Sequence, residues 1–254
     1  GQELGLEPSA RLRALAADAT QVVREQPPPA ARPLPDFVGR RLELAQIGEL
    51  LLDERRRIVT VIGPGGVGKS SIARTAMSAL HDRFADGCIW LPLQDLASAE
   101  QVPARLAASI GLELGSAEGA WAQIERHLAG RQLLLVLDNA EDLGGALCEP
   151  LAALLAECPR VALLFTSRRR LGLAGECLLP LEGLPLPDAD EGDVEVLRRN
   201  DAMRLFEARA RATSHTFQLA PQAAEAVRLV HAVEGLPLAI ELAAAWVRLL
   251  PVRD

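Results

Sequence analysis

Residues 58–70 constrain the fold of this chain more than any other segment. The β-branched apolar run Ile58–Ile62 leads directly into Gly63-Pro64-Gly65-Gly66-Val67-Gly68-Lys69-Ser70, a complete G-x-x-x-x-G-K-[ST] loop. Glycines allow several backbone N–H groups to approach a pyrophosphate closely, and a helix after the loop adds its positive N-terminal end. In such a loop the lysine reaches the β- and γ-phosphates, and the serine hydroxyl ligates Mg²⁺. The segment therefore predicts a strand, a phosphate-binding loop and a helix.

The residues after the loop support this interpretation over an ordinary glycine-rich turn. Ile72, Ala76, Ala79 and Leu80 recur at helical spacing and would share one face of a helix. A phosphate-binding loop needs a strand before it and a helix after it, and both patterns are present.

Composition limits the class of protein. The chain has 254 residues, of which 49% are hydrophobic, so it can bury a core and is not a disordered chain. Its longest apolar runs are of strand length, far below the about 20 residues of a membrane span, and we expect no membrane partner. A net charge of −7 without a dense Lys/Arg stripe argues against binding of nucleic acid by this stretch alone.

The cysteines and the beginning of the chain bear on the compartment. The first residues show no secretory signal pattern, and Cys88, Cys148, Cys158 and Cys177 lack the spacing of metal ligands or redox pairs. We therefore expect reduced thiols and a cytoplasmic protein.

The chain divides into four segments by pattern. We expect a helical tail of a preceding domain at 1–25, a Pro-rich linker at 26–35, an α/β domain at 36–187 and a helical subdomain at 193–254. Within the α/β domain, continuous apolar runs alternate with helical patterns, which is typical of a parallel sheet covered by helices on both faces. The expected strands are 58–62, 88–93, 133–137, 161–165 and 176–181, and helices are expected after Lys69 and near 102–110, 120–128 and 147–157.

A second buried run, 133–137, ends in Asp138. Open parallel sheets bind ligands at the carboxyl ends of their strands, so this carboxylate could hold Mg²⁺ through its waters. Many hydrolysing proteins carry a second acid at the next position, whereas this chain has Asn139, which puts hydrolysis in doubt. Glu141 or Asp142 could supply a general base instead, or both could be solvated loop acids.

The run 161–165 is followed by Thr166-Ser167-Arg168. An arginine at this edge could reach a γ-phosphate and report its presence, and we assign that sensor role to Arg168. Arg169 and Arg170 fit better as an exposed basic loop or a patch for an anionic partner. We expect Trp121 and Trp246 to be core residues.

Four motifs occur in an order that resembles the NB-ARC and wider STAND class of signal-transducing P-loop ATPases. They are Phe37-Val38-Gly39-Arg40 ahead of the phosphate loop, the run Leu133–Asp138, Thr166-Ser167-Arg168, and Gly235-Leu236-Pro237-Leu238. The resemblance implies the P-loop NTPase fold and ATP or ADP with Mg²⁺ as cofactors. The absence of an Asn-Lys-x-Asp run also favours adenine over guanine.

The resemblance also implies a set of site residues. Val38 and Arg40 would lie beside adenine and ribose, and Pro237 would pack on the nucleotide and couple the helical subdomain to it. Ser70 and Asp138 would serve Mg²⁺, and Lys69, Asp138 and Arg168 would be the catalytic group. The implied nucleotide-binding set is Val38, Arg40, Gly63, Gly65, Gly66, Val67, Gly68, Lys69, Ser70, Ser71, Pro237 and Leu238.

The first residues give a further resemblance. Leu4-Gly5-Leu6-Glu7-Pro8-Ser9, followed by Leu12 and Leu15, is similar to the end of the helical activation domain in bacterial antibiotic-regulatory (SARP) transcriptional activators. This implies the central ATPase module of a larger regulator, with DNA bound only through domains outside this stretch. We expect a slow, STAND-type ATPase switch that self-associates. The alternatives are a nucleotide-stabilised scaffold without hydrolysis and an AAA+-like working ATPase.

Overall fold

The computed structural model describes residues 37–53 and 55–246. The expected tail at 1–25 and linker at 26–35 lie outside the described residues, as does the end of the expected helical segment, 247–254. None of the described helices is long and apolar enough to cross a membrane.

Five parallel strands form the central sheet. They are β1 (Ile58–Ile62), β2 (Cys88–Pro92), β3 (Leu133–Asp138), β4 (Val161–Ser167) and β5 (Cys177–Pro180). Their spatial order is β2-β3-β4-β1-β5, and every neighbouring pair is parallel. All five expected strands are present, with ends within two residues of those expected. The order places β1 beside β4 and β4 beside β3, so the carboxyl ends of these three strands lie together at one edge.

Within the part of the chain that the structure describes, five helices accompany the sheet. They are α1 (Arg41–Leu52), α2 (Lys69–Leu80), α3 (Val102–Ser109), α4 (Ala120–Leu128) and α5 (Gly144–Glu157). Three short 3₁₀ segments, His81–Arg83, Ala99–Gln101 and Ala220–Gln222, occur in the connections. The sequence analysis did not predict α1, whose pattern is weakly amphipathic, with only Ile47 and Leu51 buried and Leu42 largely exposed.

Alternate residues of β3 belong to two different cores. Leu133, Leu135 and Leu137 pack on one side of the sheet, whereas Leu134 and Val136 pack on the other. Because both faces are covered, the strand is apolar at each of its first five positions rather than at every second one. The expected parallel sheet with helices on both faces is therefore confirmed.

A helical region follows the sheet. It contains α6 (Val194–Leu197), α7 (Asp201–Thr213), α8 (Ala223–Ala232) and α9 (Pro237–Trp246). These helices surround a third core, in which Phe206 and Phe217 meet edge to face with ring centroids 5.8 Å apart. Asn200 caps α7 by accepting a hydrogen bond from the Met203 N–H at 3.1 Å.

The two tryptophans expected in the core differ. Trp121 is partly buried against the core that contains Leu133. Trp246 is 56% exposed, so the expectation was wrong for this residue. On α9 it lies two helical turns after the exposed Leu238, which places both on the outer face of the helix.

Candidate nucleotide-binding site

The loop between β1 and α2 takes a conformation that its glycines make possible. Gly66 and Gly68 have φ values of 79° and 96°, in the region that L side chains rarely adopt. Gly68 is the residue before α2, so the loop ends at the helix N-terminus. The backbone N–H groups of the loop therefore lie next to the N-terminus of α2, and a helix N-terminus attracts anions.

Lys69 is held inside this loop. Its ammonium Nζ donates hydrogen bonds to the carbonyl oxygens of Gly63 and Pro64, each at 2.9 Å. The residue is 8% exposed, and burial is the main cause of its lowered pKa. The carboxylates of Glu141 and Asp138 oppose this shift, and Arg168 adds to it. Gly63 lines neither of the cavities described below, and its contribution is the carbonyl that accepts from Lys69.

Ser70 and Asp138 meet directly. The Ser70 hydroxyl donates to Asp138 Oδ1 at 2.7 Å, and the Thr166 hydroxyl donates a short hydrogen bond to the same oxygen. Mg²⁺ binds oxygen ligands and commonly takes only one or two from protein, with phosphates and waters completing its octahedron. A hydroxyl and a carboxylate at the edge of the phosphate loop fit this requirement. Among the described residues no group of three or more His, Cys, Asp or Glu could hold a metal.

Asn139 takes a left-handed conformation, with φ of 59°. Its backbone N–H donates to Thr166 Oγ1 at 2.9 Å, and its side-chain Nδ2 donates to Gln94 Oε1 at 2.9 Å. Asparagine tolerates this conformation better than most residues. Asn139 lines the cavity beside the glycines of the loop, which we call the phosphate cavity, so the position where many hydrolysing proteins carry an acid holds a neutral group.

The two loop acids have different surroundings. Glu141 Oε1 lies 3.1 Å from Arg168 Nε, and the Glu141 side chain is only 14% exposed. Asp142 is exposed. Of the three arginines, Arg168 lines the phosphate cavity, Arg169 donates to the Glu141 backbone oxygen at 2.9 Å, and Arg170 is exposed.

Two adjoining cavities surround the loop. The first, of about 170 Å³, is mostly apolar, and its lining includes Val38, Arg40, Val67, Leu184, Leu205 and Pro237. The second, the phosphate cavity, has a volume of about 290 Å³ and is lined by Asn139, Arg168 and Leu238 together with Gly65, Gly66, Gly68, Lys69, Ser70 and Ser71. Gly68, Ser71, Pro237 and Glu241 border both cavities. An apolar cavity joined to a polar one has the form expected for a base with its phosphates.

The helical region closes one side of both cavities. The Leu238 N–H donates to the Gly66 carbonyl oxygen at 3.1 Å, and the Leu184 N–H donates to the Gly235 carbonyl oxygen at 2.8 Å. Gly235 has φ of 64°, and a Cβ there would overlap the Leu184 carbonyl oxygen. Within the α/β part, the Arg40 guanidinium pairs with Glu43 and donates to the Glu182 carbonyl oxygen.

The sequence analysis missed one pair that borders the cavities. Arg209 on α7 and Glu241 on α9 form an ion pair, with Nη2 and Oε1 3.1 Å apart. Glu241 lies one helical turn after Pro237 and therefore on the same face of α9. The four-residue spacing from Pro237 could have identified Glu241 as a site residue. The position of Arg209, in contrast, depends on how α7 packs against α9.

Comparison with known proteins agrees with the fold and the loop. Residues 52–171 match the family model described as a AAA domain. The chain is 34% identical over 215 residues to an uncharacterized protein of Mycobacterium tuberculosis. The matched region covers 84% of this chain and 51% of that protein. It is also 33% identical over 195 residues to a protein of the same organism that carries the name of an HTH-type transcriptional regulator. This match covers 76% of this chain and 20% of that protein.

Regulatory protein AfsR of Streptomyces griseus is 29% identical over an alignment of 271 positions that covers 96% of this chain and 26% of AfsR. The chain thus spans about half the length of the first of these curated relatives and a smaller share of the others.

Two solved structures share the fold at low sequence identity. Cdc6p of Pyrobaculum aerophilum superposes with a TM-score of 0.59 at 14% identity, covering 86% of this chain and 64% of that one. A STAND protein with a tetratricopeptide repeat sensor from Pyrococcus horikoshii has a TM-score of 0.51 at 17% identity. The superposition covers 85% of this chain and 30% of that one.

Proposed function

We propose that this chain, whose residues 52–171 match a AAA domain and which has regulatory proteins among its relatives, is an ATP- and ADP-binding switch module of a larger bacterial signalling or transcriptional regulator. In this proposal the nucleotide state sets how the helical region sits on the sheet. DNA contact belongs to parts of the regulator outside this chain.

One observation carries the proposal: the hydrogen bond from the Leu238 N–H to the Gly66 carbonyl. The first turn of α9 rests on the same loop that would wrap the phosphates, so a change at the phosphates acts directly on α9. A switch also requires that its two states bind ADP and ATP unequally, since a ligand of equal affinity shifts nothing. We propose that Arg168, which lines the phosphate cavity, contacts the γ-phosphate and so distinguishes ATP from ADP.

The finer assignment to the NB-ARC and STAND class is supported by where residues of three of its four motifs lie. Val38 and Arg40 line the apolar cavity, Pro237 borders both cavities, and Arg168 lines the phosphate cavity. These residues come from distant parts of the sequence and converge around one loop. We accordingly propose that adenine occupies the apolar cavity and that Pro237 packs on the nucleotide.

The chain's own groups define a slow reaction. Lys69 would exchange its loop carbonyl partners for β- and γ-phosphate oxygens, and Ser70 and Asp138 would hold Mg²⁺, which supplies charge neutralisation at the phosphates when bound. The neutral amide of Asn139 cannot take a proton from water as a carboxylate does. We propose slow turnover for this reason, which suits a switch better than a motor.

The test combines nucleotide content with a conformational measurement. Freshly purified chain is heat-denatured, the released nucleotide is identified by anion-exchange chromatography, and Lys69→Ala is the control. Hydrogen exchange of the peptides covering α9 is then followed with ADP and with a non-hydrolysable ATP analogue. We expect bound adenine nucleotide that is absent from the control, and exchange in α9 that differs between the two nucleotides. Binding with identical exchange would favour the scaffold, and an empty chain with rapid turnover would favour the working ATPase.

Self-association is the second part of the proposal. Sedimentation of the ADP-bound and analogue-bound forms should give different masses if nucleotide state controls assembly. The same mass in both forms would remove this part and leave the conformational switch intact.

A further inference from the structure

The Glu141 carboxylate lies beside the cations that would hold a terminal phosphate. Its Oε1 is 3.1 Å from Arg168 Nε, and Arg168 lines the phosphate cavity. Among charged groups, Glu141 has the largest influence on the pKa of Lys69, which it raises, ahead of Asp138. A carboxylate of the chain itself therefore opposes the charge of both cations.

The position of this carboxylate is fixed by burial. Glu141 is 14% exposed while Arg168 is 70% exposed, so the acid is the anchored member of the pair. Its second oxygen, Oε2, is buried and has no hydrogen-bond partner among the described residues. Its backbone oxygen is held by the Arg169 guanidinium at 2.9 Å. A buried carboxylate with one unpartnered oxygen depends strongly on its remaining cation, because an unpaired buried charge is costly.

We propose that Glu141 sets the preference of this site between ADP and ATP by competing with the γ-phosphate for Arg168. ADP ends at the β-phosphate and leaves the Glu141–Arg168 pair intact. ATP brings a second anion to the same guanidinium, so Arg168 must leave a buried carboxylate to reach the phosphate. The inference rests on the proposed function, since it requires that the cavities bind an adenine nucleotide.

This role differs from that of a general base. A base would change the rate of hydrolysis and leave the relative affinities of ADP and a non-hydrolysable ATP analogue unchanged. A competitor changes those affinities and needs no chemistry. Binding measurements without turnover therefore separate the two roles.

The experiment measures dissociation constants for ADP and AMPPNP with Mg²⁺ by isothermal titration calorimetry. Glu141→Gln keeps the size of the side chain and removes its charge. We expect AMPPNP to bind about fivefold more tightly to this variant than to the wild type, and ADP to bind nearly as before. Glu149→Gln is the matched control, because it removes an equivalent charge from an exposed position on α5.

A variant that already lacks the Arg168 guanidinium tests whether Glu141 acts on nucleotide affinity through Arg168. If Glu141 acts through Arg168, the gain from Glu141→Gln shrinks in a chain that carries Arg168→Ala. A gain that is equal or larger in that background would overturn the proposal, since simple repulsion does not need Arg168. Equal changes for ADP and AMPPNP would also overturn it. Glu141→Asp, which shortens the reach to Arg168, gives the same comparison if the glutamine variant does not fold, with a smaller gain expected.

The failure of this inference is distinguishable from failure of the proposed function. Wild-type chain that binds neither nucleotide would refute both. Wild-type chain that binds both nucleotides, with no selective change in the variants, would refute only the role of Glu141.

Discussion

The backbone N–H of Leu238 donates a hydrogen bond to the carbonyl oxygen of Gly66, with 3.1 Å between nitrogen and oxygen. The contact joins the first turn of α9 to the phosphate loop through main-chain atoms. The close approach requires glycine, because a Cβ on Gly66 would lie 3.0 Å from the Leu238 Cβ and the φ of Gly66 is 79°. Loop and helix therefore respond together to whatever fills the phosphate cavity.

Removal of the Lys69 side chain should abolish most nucleotide affinity without unfolding the sheet. Hydrogen bonds from a charged donor are worth about 1.5–3 kcal/mol each, so we expect Lys69→Ala to weaken ADP binding on the order of 100-fold. Calorimetry measures the affinity, and circular dichroism verifies the fold. Tight binding by a folded variant would contradict the assignment of the phosphate loop.

Lys69 is the only lysine in the sequence, which makes its amine a selective reporter. Reductive methylation can modify only this amine and the N-terminal one. Because Mg²⁺ and ATP would cover the ammonium with phosphate oxygens, we expect modification of Lys69 to slow markedly when they are added. Mass spectrometry of the peptide that contains Lys69 gives the rate, with the N-terminal peptide as internal control. Equal rates with and without nucleotide would argue against phosphates at this position.

Loss of the Arg168 guanidinium should affect ATP and spare ADP. We expect Arg168→Ala to weaken AMPPNP binding by about threefold to tenfold, because the γ-phosphate loses a charged donor, while ADP affinity changes by less than about twofold. Arg170→Ala removes an exposed arginine of the same segment and is the control. Equal losses for both nucleotides in Arg168→Ala would refute the sensor role.

A carboxylate at position 139 should raise turnover. Aspartate tolerates the left-handed φ of 59° that Asn139 adopts, and Gln94 can rotate its amide to donate to the new acid. General bases contribute roughly 10²–10⁴-fold to catalysis, and we expect Asn139→Asp to accelerate phosphate release by about tenfold or more. The steady-state release of phosphate from ATP measures this. An unchanged rate would show that Mg²⁺ geometry or another step limits turnover.

A side chain at Gly235, in the turn before α9, should lower the stability of the folded chain. Alanine there would have φ of 64° and would collide with the Leu184 carbonyl oxygen. We expect Gly235→Ala to lower the free energy of unfolding by about 1–3 kcal/mol. Gly145→Ala is the control, because that helical position is open and alanine should leave stability equal or raise it. Urea denaturation compares the two variants, and equal stabilities would contradict the strain argument.

Local pattern was sufficient for most of the architecture. The run that became β3 is apolar at every position because it is buried on both faces, and this is visible without knowing its neighbours. The phosphate loop is likewise a contiguous motif. Helix α1 was missed because its burial depends on only two side chains that pack on the sheet.

Residues adjacent in the chain are enough to predict the parallel sheet, the loop that ends at Ser70 and the acid at the end of β3, because each is a contiguous pattern. Packing between distant segments is what turns Glu141 inward while Asp142 is exposed, pairs Arg168 with this acid, and brings Arg209 and Glu241 together beside the loop. These relations join residues on different elements. They are set by how strands and helices pack, a long-range outcome that no local pattern of residues contains.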